Sequence, residues 1–464
     1  MKKHHQIAVI GAGPAGLAAA TEAARQGAAV VLFDEQPSPG GQIYRAIEGT
    51  SPAQKEILGK SYRHGETLAR AFRDSAVDYR PGTTIWQLSA EREIGISQNG
   101  VAGVVTADQV IVATGALERP FPIPGWTLPG VATAGAAQIL LKSSGLIAEK
   151  AVFVGSGPLL YLVVAQYLRA GAVPRALIDT TAPGKQWRAF PHLPGALRRW
   201  DLLREGMAWM KEIQRSGIKV VKSATDLSIE GAGEAEAVSF RDAGGKRQRI
   251  ACDQVFLHQG VVPNVNLTMA AGCRHFWDAQ QLCWHPQTDD WFTSSLPGIS
   301  IVGDGAGIAG ALAAEQAGRI AANGALKNLG HFDAAEAKSR SGPDRRSLKR
   351  ERAIRPFLDQ WFRPRDENRI PANAEVVVCR CEEVTARDLR AGIALGAPGP
   401  NQLKAFCRAG MGPCQGRMCG LTVTELMSAE TGRPPEEIGF YRLRPPVKPL
   451  TLGELAALSL TDNG

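Results

Sequence analysis

The sequence lacks any apolar run able to cross a membrane or direct export. Its start, "MKKHHQIAVIGAG", carries charge but no apolar region before the first strand, so no signal peptide and a cytoplasmic location are expected. The most apolar stretch, "VFVGSGPLLYLVVAQYL" (153–169), is too short for a span, and "GSGP" divides it into a buried strand and a helix. Charge of one sign is not concentrated anywhere. The 53 Lys and Arg against 45 Asp and Glu leave +8 spread along the chain, which argues against nucleic-acid binding. The densest basic run, "RRSLKRERAIRPF" (345–357), reads as a solvated linker helix. Cysteine is sparse, at eight in 464 residues. Without an export signal, clustered cysteines suggest metal ligands rather than disulfides.

What is present is length for several cores and an excess of glycine. The 464 residues exceed one ordinary core, and the 51 glycines suit Gly-rich phosphate loops in a sequence that is not low-complexity. Residues 7–10 ("IAVI") form a short buried strand. "GAGPAG" follows, then a helix to about Gly27 and a strand "AAVVLFD". A second strand–turn–helix–strand unit begins at 151 with "AVFVG", "SGP", "LLYLVVAQYLRAG" and "RALID". Between the units lies "QVIVATGALERPFPIPGW" (109–126). A β-rich return (about 219–260), "GISIVGDGAG" (298–307) and the helix "GALAAEQAGRIAANGAL" come after them. Residues 331–371 read as a charged, irregular linker with one helix near 349–361. The cysteine region spans about 372–440, and "YRLRPPVKPLTLGEL" begins a Pro-rich tail (441–464).

"GAGPAG" places Gly11, Gly13 and Gly16 in a G-x-G-x-x-G pattern, with Pro14 and Ala15 opening the helix. Gly11 permits the tight turn, Gly13 lets the backbone approach a pyrophosphate, and Gly16 lets the helix pack on the strand. The helix N-terminus offers free N–H groups and the positive end of its dipole. Asp34, or its neighbour Glu35, can accept hydrogen bonds from a ribose, which favours FAD or NAD over NADP. Gly303 and Asp304 of "VGDGAG", Gly41 and Gln42 of "PGGQIYR", and Thr114 and Gly115 of "VATG" resemble the further flavin contacts of the glutathione-reductase-like fold. The fold class expected from these loops is α/β, a two-dinucleotide-domain flavoprotein of the glutathione-reductase-like kind. The boundaries expected are 1–118 with 253–330 for the FAD domain and 119–252 for the second dinucleotide domain.

The second unit departs from the pattern. Leu160 stands where the third Gly belongs, and is expected to push the helix off the strand, although Asp179 keeps the ribose position. The flavin domain has no paired cysteines, since Cys252, Cys273 and Cys283 are scattered, so disulfide reduction is excluded. His258 reads as a structural histidine. No residue stands out as a general base, and no catalytic residue is assigned.

Cys379 and Cys381 form a C-x-C pair; Cys414 and Cys419 form a C-x₄-C pair on a Gly-rich loop, "AGMGPCQGRMCG". Four thiolates from two loops can hold zinc or a 2Fe-2S cluster. Zinc ribbons prefer C-x₂-C twice. Gly410, Gly412, Gly416 and Gly420 would let N–H groups approach inorganic sulfides, and Lys404, Arg408 and Arg417 would offset cluster charge. Cys407 is left as a structural thiol.

"VCRCEEVT … LKAFCRAGMGPCQGRMC" resembles the bacterioferritin-associated-ferredoxin-type 2Fe-2S domain, which implies that a small helical C-terminal iron–sulfur domain follows the α/β flavoprotein. With the flavoprotein core and "GALERPFPIPGWTLPGVATAGAAQ" (115–138), nearly the whole chain resembles the α subunit of heteromeric bacterial amino-acid and opine dehydrogenases. That resemblance implies a role in electron transfer, beside a glycine-oxidase-like β subunit carrying FAD and the substrate site. It also implies a small iron–sulfur γ subunit in some members, FMN between α and β in some, and ATP or NAD instead of FAD in others. The alternative left by the residues alone is a self-sufficient NAD(P)H-dependent FAD/2Fe-2S reductase. The Pro-rich "ERPFPIPGWTLPG" and "RPPVKPLTLGEL" are expected as docking surfaces.

Overall fold

The computed structural model describes residues 3–461. The first sheet is built around β1 (His4–Ile10), whose four residues Ile7–Ile10 are all buried. β2 (Val30–Phe33), β3 (Asp78–Arg80), β4 (Thr83–Leu88), β5 (Glu93–Gln98) and β6 (Val101–Val112) complete the order β3-β2-β1-β6-β5-β4. The strand Ile299–Ile301 pairs with β6 in parallel, so the chain returns to this sheet late. Helix α1 (Pro14–Arg25) and the helix Ala311–Asn328 pack side by side on one face. Their contact is made from small residues: a Cβ on Gly318 would come within 2.1 Å of the Ala15 carbonyl.

The second sheet is wholly parallel: Lys219–Val221, Ala176–Asp179, Ala151–Gly155, Gln254–His258 and Val131–Thr133, in that order. An antiparallel meander, Thr225–Glu230, Ala237–Arg241 and Arg247–Ala251, covers it. The expected domain boundary at 252/253 falls short. The strand Gln254–His258 sits between two strands of the second sheet, so the second unit runs on to His258. Buried Val255, Phe256 and Leu257 bind it there. The chain crosses between units at Ala116–Glu118 and again at Val261–Pro263, and the two crossings pair antiparallel.

Three expectations are corrected. Residues 331–371 are not an irregular linker. Asp333 caps a helix Ala334–Arg352, accepting from the Glu336 N–H at 2.8 Å, and a second helix spans Arg355–Trp361. Buried Ala337, Ser341 and Leu348 seat the longer helix on the flavoprotein core. Nor is "ERPFPIPGWTLPG" a docking surface: Phe121, Ile123 and Trp126 are buried in the second unit, and Pro124 accepts the Ile229 N–H at 2.9 Å. The tail also folds back. Tyr441, Leu443 and Val447 are buried, Glu454 bonds Ser97, and the helix Leu452–Thr461 lies along β6.

The cysteine domain has its own core of Val378, Leu389, Leu403, Val423, Leu426 and Tyr441. A capping box at Thr385/Asp388 starts the helix Ala386–Ala394, and the helices Pro400–Cys407 and Gly420–Thr431 pack against it.

Candidate functional site

The first Gly-rich loop is shaped by close backbone approaches. Gly11 has φ +104°, and a Cβ there would lie 2.5 Å from the Ala113 carbonyl; on Gly16 it would lie 1.8 Å from the Gly11 carbonyl. Gly13 ends the loop as N-cap of α1 with no side chain capping the amides, and Pro14 needs no partner at N1. An anion can therefore use this helix end. The other expected segments come to the same place. A Cβ on Gly41 would lie 2.7 Å from the Gly13 Cα, one on Gly303 would lie 2.9 Å from the Ala15 Cβ, and one on Gly305 would lie 3.4 Å from the Gly115 carbonyl. Thr114 Oγ1 donates to the Asn264 carbonyl at 3.3 Å, and the Asp304 Oδ1 accepts from the N–H groups of Ala309 and Gly310 at 2.8 and 3.0 Å.

Asp34 stands at the end of β2, with its carboxylate accepting from the Ala12 and Gln36 N–H groups at 2.5 and 2.7 Å. Burial raises its pKa; the two N–H groups, Arg45 and Lys448 act in the opposite direction. Glu35 is paired with Lys448 of the tail, a contact with no motif to signal it.

A second unforeseen residue is Lys142. Its Nζ is buried and donates to the Gln42 carbonyl (3.1 Å) and to Gln138 Oε1 (2.8 Å). Burial, reinforced by Arg45, draws its pKa down to about 7. The helix Ala134–Ser144 buries Ala134, Ala137, Gln138, Leu141 and Lys142, so spacing alone puts the lysine on the apolar face.

The second unit is closed in on itself. Leu160 is fully buried in the core, its N–H bonded to the Gly157 carbonyl. Asp179 accepts from the Tyr161 hydroxyl at 2.8 Å and the Thr181 N–H at 2.8 Å. Arg365 donates to the Thr180 carbonyl at 2.9 Å, and the Phe362 ring lies 6.3 Å from that of Tyr161. His258 is satisfied: its Nδ1 meets Glu118 Oε2 at 2.7 Å, and Glu118 also accepts the Gly135 N–H.

Four of the five cysteines of the C-terminal domain come together in two pairs, Cys379 with Cys419 and Cys381 with Cys414. The bond from Cys419 draws the Cys379 pKa down to about 6, against its burial, helped by the N–H groups of Gly410, Glu382 and Cys381. Cys419, which holds the proton toward Cys379 and is buried, is raised. Among the described residues, no three His, Cys, Asp or Glu side chains are grouped as ligands of one metal ion. The glycines serve packing more than expected. A Cβ on Gly410 or Gly416 would come within 2.5 Å of the Tyr441 ring, on Gly420 within 2.4 Å of Phe440, and on Gly412 within 2.3 Å of the Cys381 Cβ. Arg408 is engaged with Glu382 at 2.8 Å and Lys404 lies over Tyr441, leaving Arg417 as the expected cation whose charge acts on Cys414. Asn266 of the flavoprotein core steadies the loop by donating to the Gln415 carbonyl at 2.9 Å.

The pyridine nucleotide-disulphide oxidoreductase family matches residues 5–318, and the sarcosine oxidase A3 domain matches residues 375–459. The A subunit of opine oxidase from Rhizobium meliloti is 45% identical, covering 99% of this chain and 89% of its own. Hydrogen cyanide synthase subunit HcnB of Pseudomonas aeruginosa is 32% identical over 95% of this chain and 96% of its own. In fold, L-proline dehydrogenase from P. horikoshii superposes with a TM-score of 0.70 over 98% of this chain and 81% of that one, at 19% identity. With an oxidoreductase core shaped for a dinucleotide, an A3 domain, and near full-length identity to these subunits, the chain belongs to the family of opine oxidase A subunits.

Proposed function

We propose that this chain is the electron-transfer subunit of a heteromeric dehydrogenase that oxidises the C–N bond of an opine or imino or amino acid in a partner subunit. The observation that carries the reading is the presence in one chain of a nucleotide cradle, around Gly13, Gly41 and Gly303, and a paired-thiol cradle, joined by packed structure. The names of its relatives support the substrate class and the multi-subunit assembly.

In the nucleotide cradle the backbone around Gly11, Gly13 and Gly16, with Pro14 and Ala15, receives the pyrophosphate of FAD or another adenine nucleotide. Asp34 holds the ribose, with Glu35 beside it. Gly41, Gln42, Thr114, Gly115, Gly303 and Asp304 line the remainder. In the second cradle, Cys379, Cys381, Cys414 and Cys419 hold a 2Fe-2S cluster. Two thiol pairs suit two irons better than the single centre that zinc needs. A flavin exchanges electrons in pairs and such a cluster singly, which is the chemistry the two cradles together supply. FMN at the interface with the β subunit would be a further station.

The partner is a glycine-oxidase-like β subunit carrying its own FAD, with a small iron–sulfur γ subunit in some relatives. With the Pro-rich segments folded inward, the surface best suited to docking is the helical excursion at 185–215. It exposes Trp187 (74%), Phe190 (60%), Leu197 (49%) and Trp200 (53%), apolar surface that a lone soluble chain rarely leaves bare. The self-sufficient NAD(P)H reductase is disfavoured by Leu160, buried where the third Gly of the second loop belongs, and by the Tyr161 side chain set against Asp179.

The test is co-expression of this chain with its β subunit, followed by cofactor analysis of both. The reading requires adenine nucleotide, iron and labile sulfide on this chain, and substrate-dependent dye reduction by the complex. Turnover of an amine substrate by this chain alone, at the rate of the complex, overturns it.

A further inference from the structure

We propose that residues 445–448 form a strap that walls the base end of the first nucleotide site and ties it to the cysteine loop, so that the two cradles bind their ligands as one coupled unit. The inference rests on the first loop being a nucleotide site.

The direction of a bound nucleotide follows from the loop. With pyrophosphate at Gly13 and ribose at Asp34, the base must lie beyond the C-terminal end of β2. The Asp34 carbonyl there accepts the Thr83 N–H at 2.8 Å, which brings β4 alongside. The strap crosses at this point. The Val447 N–H donates to the Trp86 carbonyl at 2.9 Å, and the Val447 side chain is buried in one core with Phe33, Ile85 and Leu88. Lys448 pairs with Glu35 and faces the Asp34 carboxylate.

The opposite edge of the same residue reaches the cysteine loop. The Val447 carbonyl accepts from Arg417 Nη2 at 3.1 Å. Arg417 lies in the turn between Cys414 and Cys419, with its charge acting on Cys414. Its Nε is buried without a hydrogen-bond partner, so the guanidinium is committed to this place without being fully satisfied there. Val447 thus spends its N–H on the nucleotide domain and its C=O on the cysteine loop. A segment held from both sides is ordered by either, and whichever ligand orders it first spares the other that cost. Such coupling is reciprocal.

The test uses the full chain, freed of nucleotide and titrated separately with FAD, NAD and ATP; the tightest of these is then used for the variants. Lys448→Ala is expected to raise its Kd about fivefold. Arg417→Gln, which touches no residue of the nucleotide loop, is expected to raise it by about threefold. The double variant should fall short of the product of the two, because both act through one segment. Wild-type Kd values for both single variants, with binding lost in Gly13→Val, overturn the strap and leave the nucleotide site standing. Failure of all three nucleotides to bind the parent chain overturns both.

Discussion

The Tyr161 hydroxyl donates to the Asp179 carboxylate across 2.8 Å, and the Thr181 N–H takes the other oxygen. A tyrosine side chain thus stands against the acid that a second dinucleotide would need, whereas Asp34 of the first is met by the backbone N–H groups of Ala12 and Gln36 and stands among segments that converge on one loop. Asp34→Asn should lower the bound adenine nucleotide, with affinity falling about tenfold through loss of a charge-assisted bond. Asp179→Asn should leave nucleotide content unchanged. Chromatography of the nucleotide released on denaturation distinguishes them, and equal loss in both variants would return a working site to the second unit.

The parts of this site that could be read from the sequence are those fixed by backbone geometry. Gly11, Gly16, Gly41 and Gly303 admit no side chain because another backbone or a small residue lies within 3 Å of where a Cβ would be, and the spacing of the glycines records that constraint although most of the partners are distant in sequence. Lys142 was also readable, since its spacing places it on a buried face, but a lone lysine at that position gives no warning that it bonds Gln42. The pairs Lys448–Glu35 and Arg417–Val447 depend on the tail crossing the first sheet, which no local pattern records. The Pro-rich segments misled because proline content reports an inability to join a sheet, not exposure. Trp126 is buried and donates its indole N–H to the Val377 carbonyl at 2.7 Å.

Cys381→Ser should remove iron and labile sulfide from a content of about two of each per chain. The damage should not stay in the C-terminal domain. Arg369 pairs with Glu425, Asn266 holds Gln415, and the tail lies across the first sheet, so the cores are not insulated by a free linker. Thermal unfolding of the variant should shift the transition of the whole chain downward by about 1 °C for each kcal/mol lost from a ligand-linked equilibrium. An unchanged transition with all iron gone would mean that the two regions unfold independently.

Lys142 sets a pH dependence whose sign can be worked out. Its pKa falls from 10.5 when unfolded to about 7 when folded, because the buried site disfavours the cation. Between these values the unfolded chain binds more protons than the folded one, so this residue makes stability rise as pH increases from about 7 toward 10.5. Lys142→Met removes that contribution. It also leaves the Gln42 carbonyl and Gln138 Oε1 without their donor. Urea unfolding at pH 7 and at pH 9 should show the gain on going to pH 9 diminished in the variant, whatever its absolute stability. Equal gains in both proteins would mean that Lys142 titrates near its ordinary value.

The apolar excursion between 185 and 215 makes the reliance on a partner measurable. Trp187 stands in the short helix Lys185–Ala189 and Trp200 opens the helix Trp200–Arg215; Ala189 and Ala196 of the same excursion pack on Ile354 and Phe357, so the excursion is braced and its outer side is presented rigidly. Aromatic side chains on a rigid support are the residues that most often dominate an interface when they become buried. Trp200→Asp should leave the fold and the nucleotide content of the isolated chain as they are, since the side chain is half exposed and makes no core. Against the β subunit, the same change should weaken association by about 2 kcal/mol or more, roughly thirtyfold in Kd. Dye reduction by the complex should fall at low subunit concentration and recover as concentration is raised. Size-exclusion chromatography with titrated β subunit reads the first effect, and steady-state turnover against subunit concentration reads the second. If Trp200→Asp and Trp187→Asp together leave the complex intact at nanomolar concentration, the partner binds elsewhere and the exposed tryptophans serve a different contact.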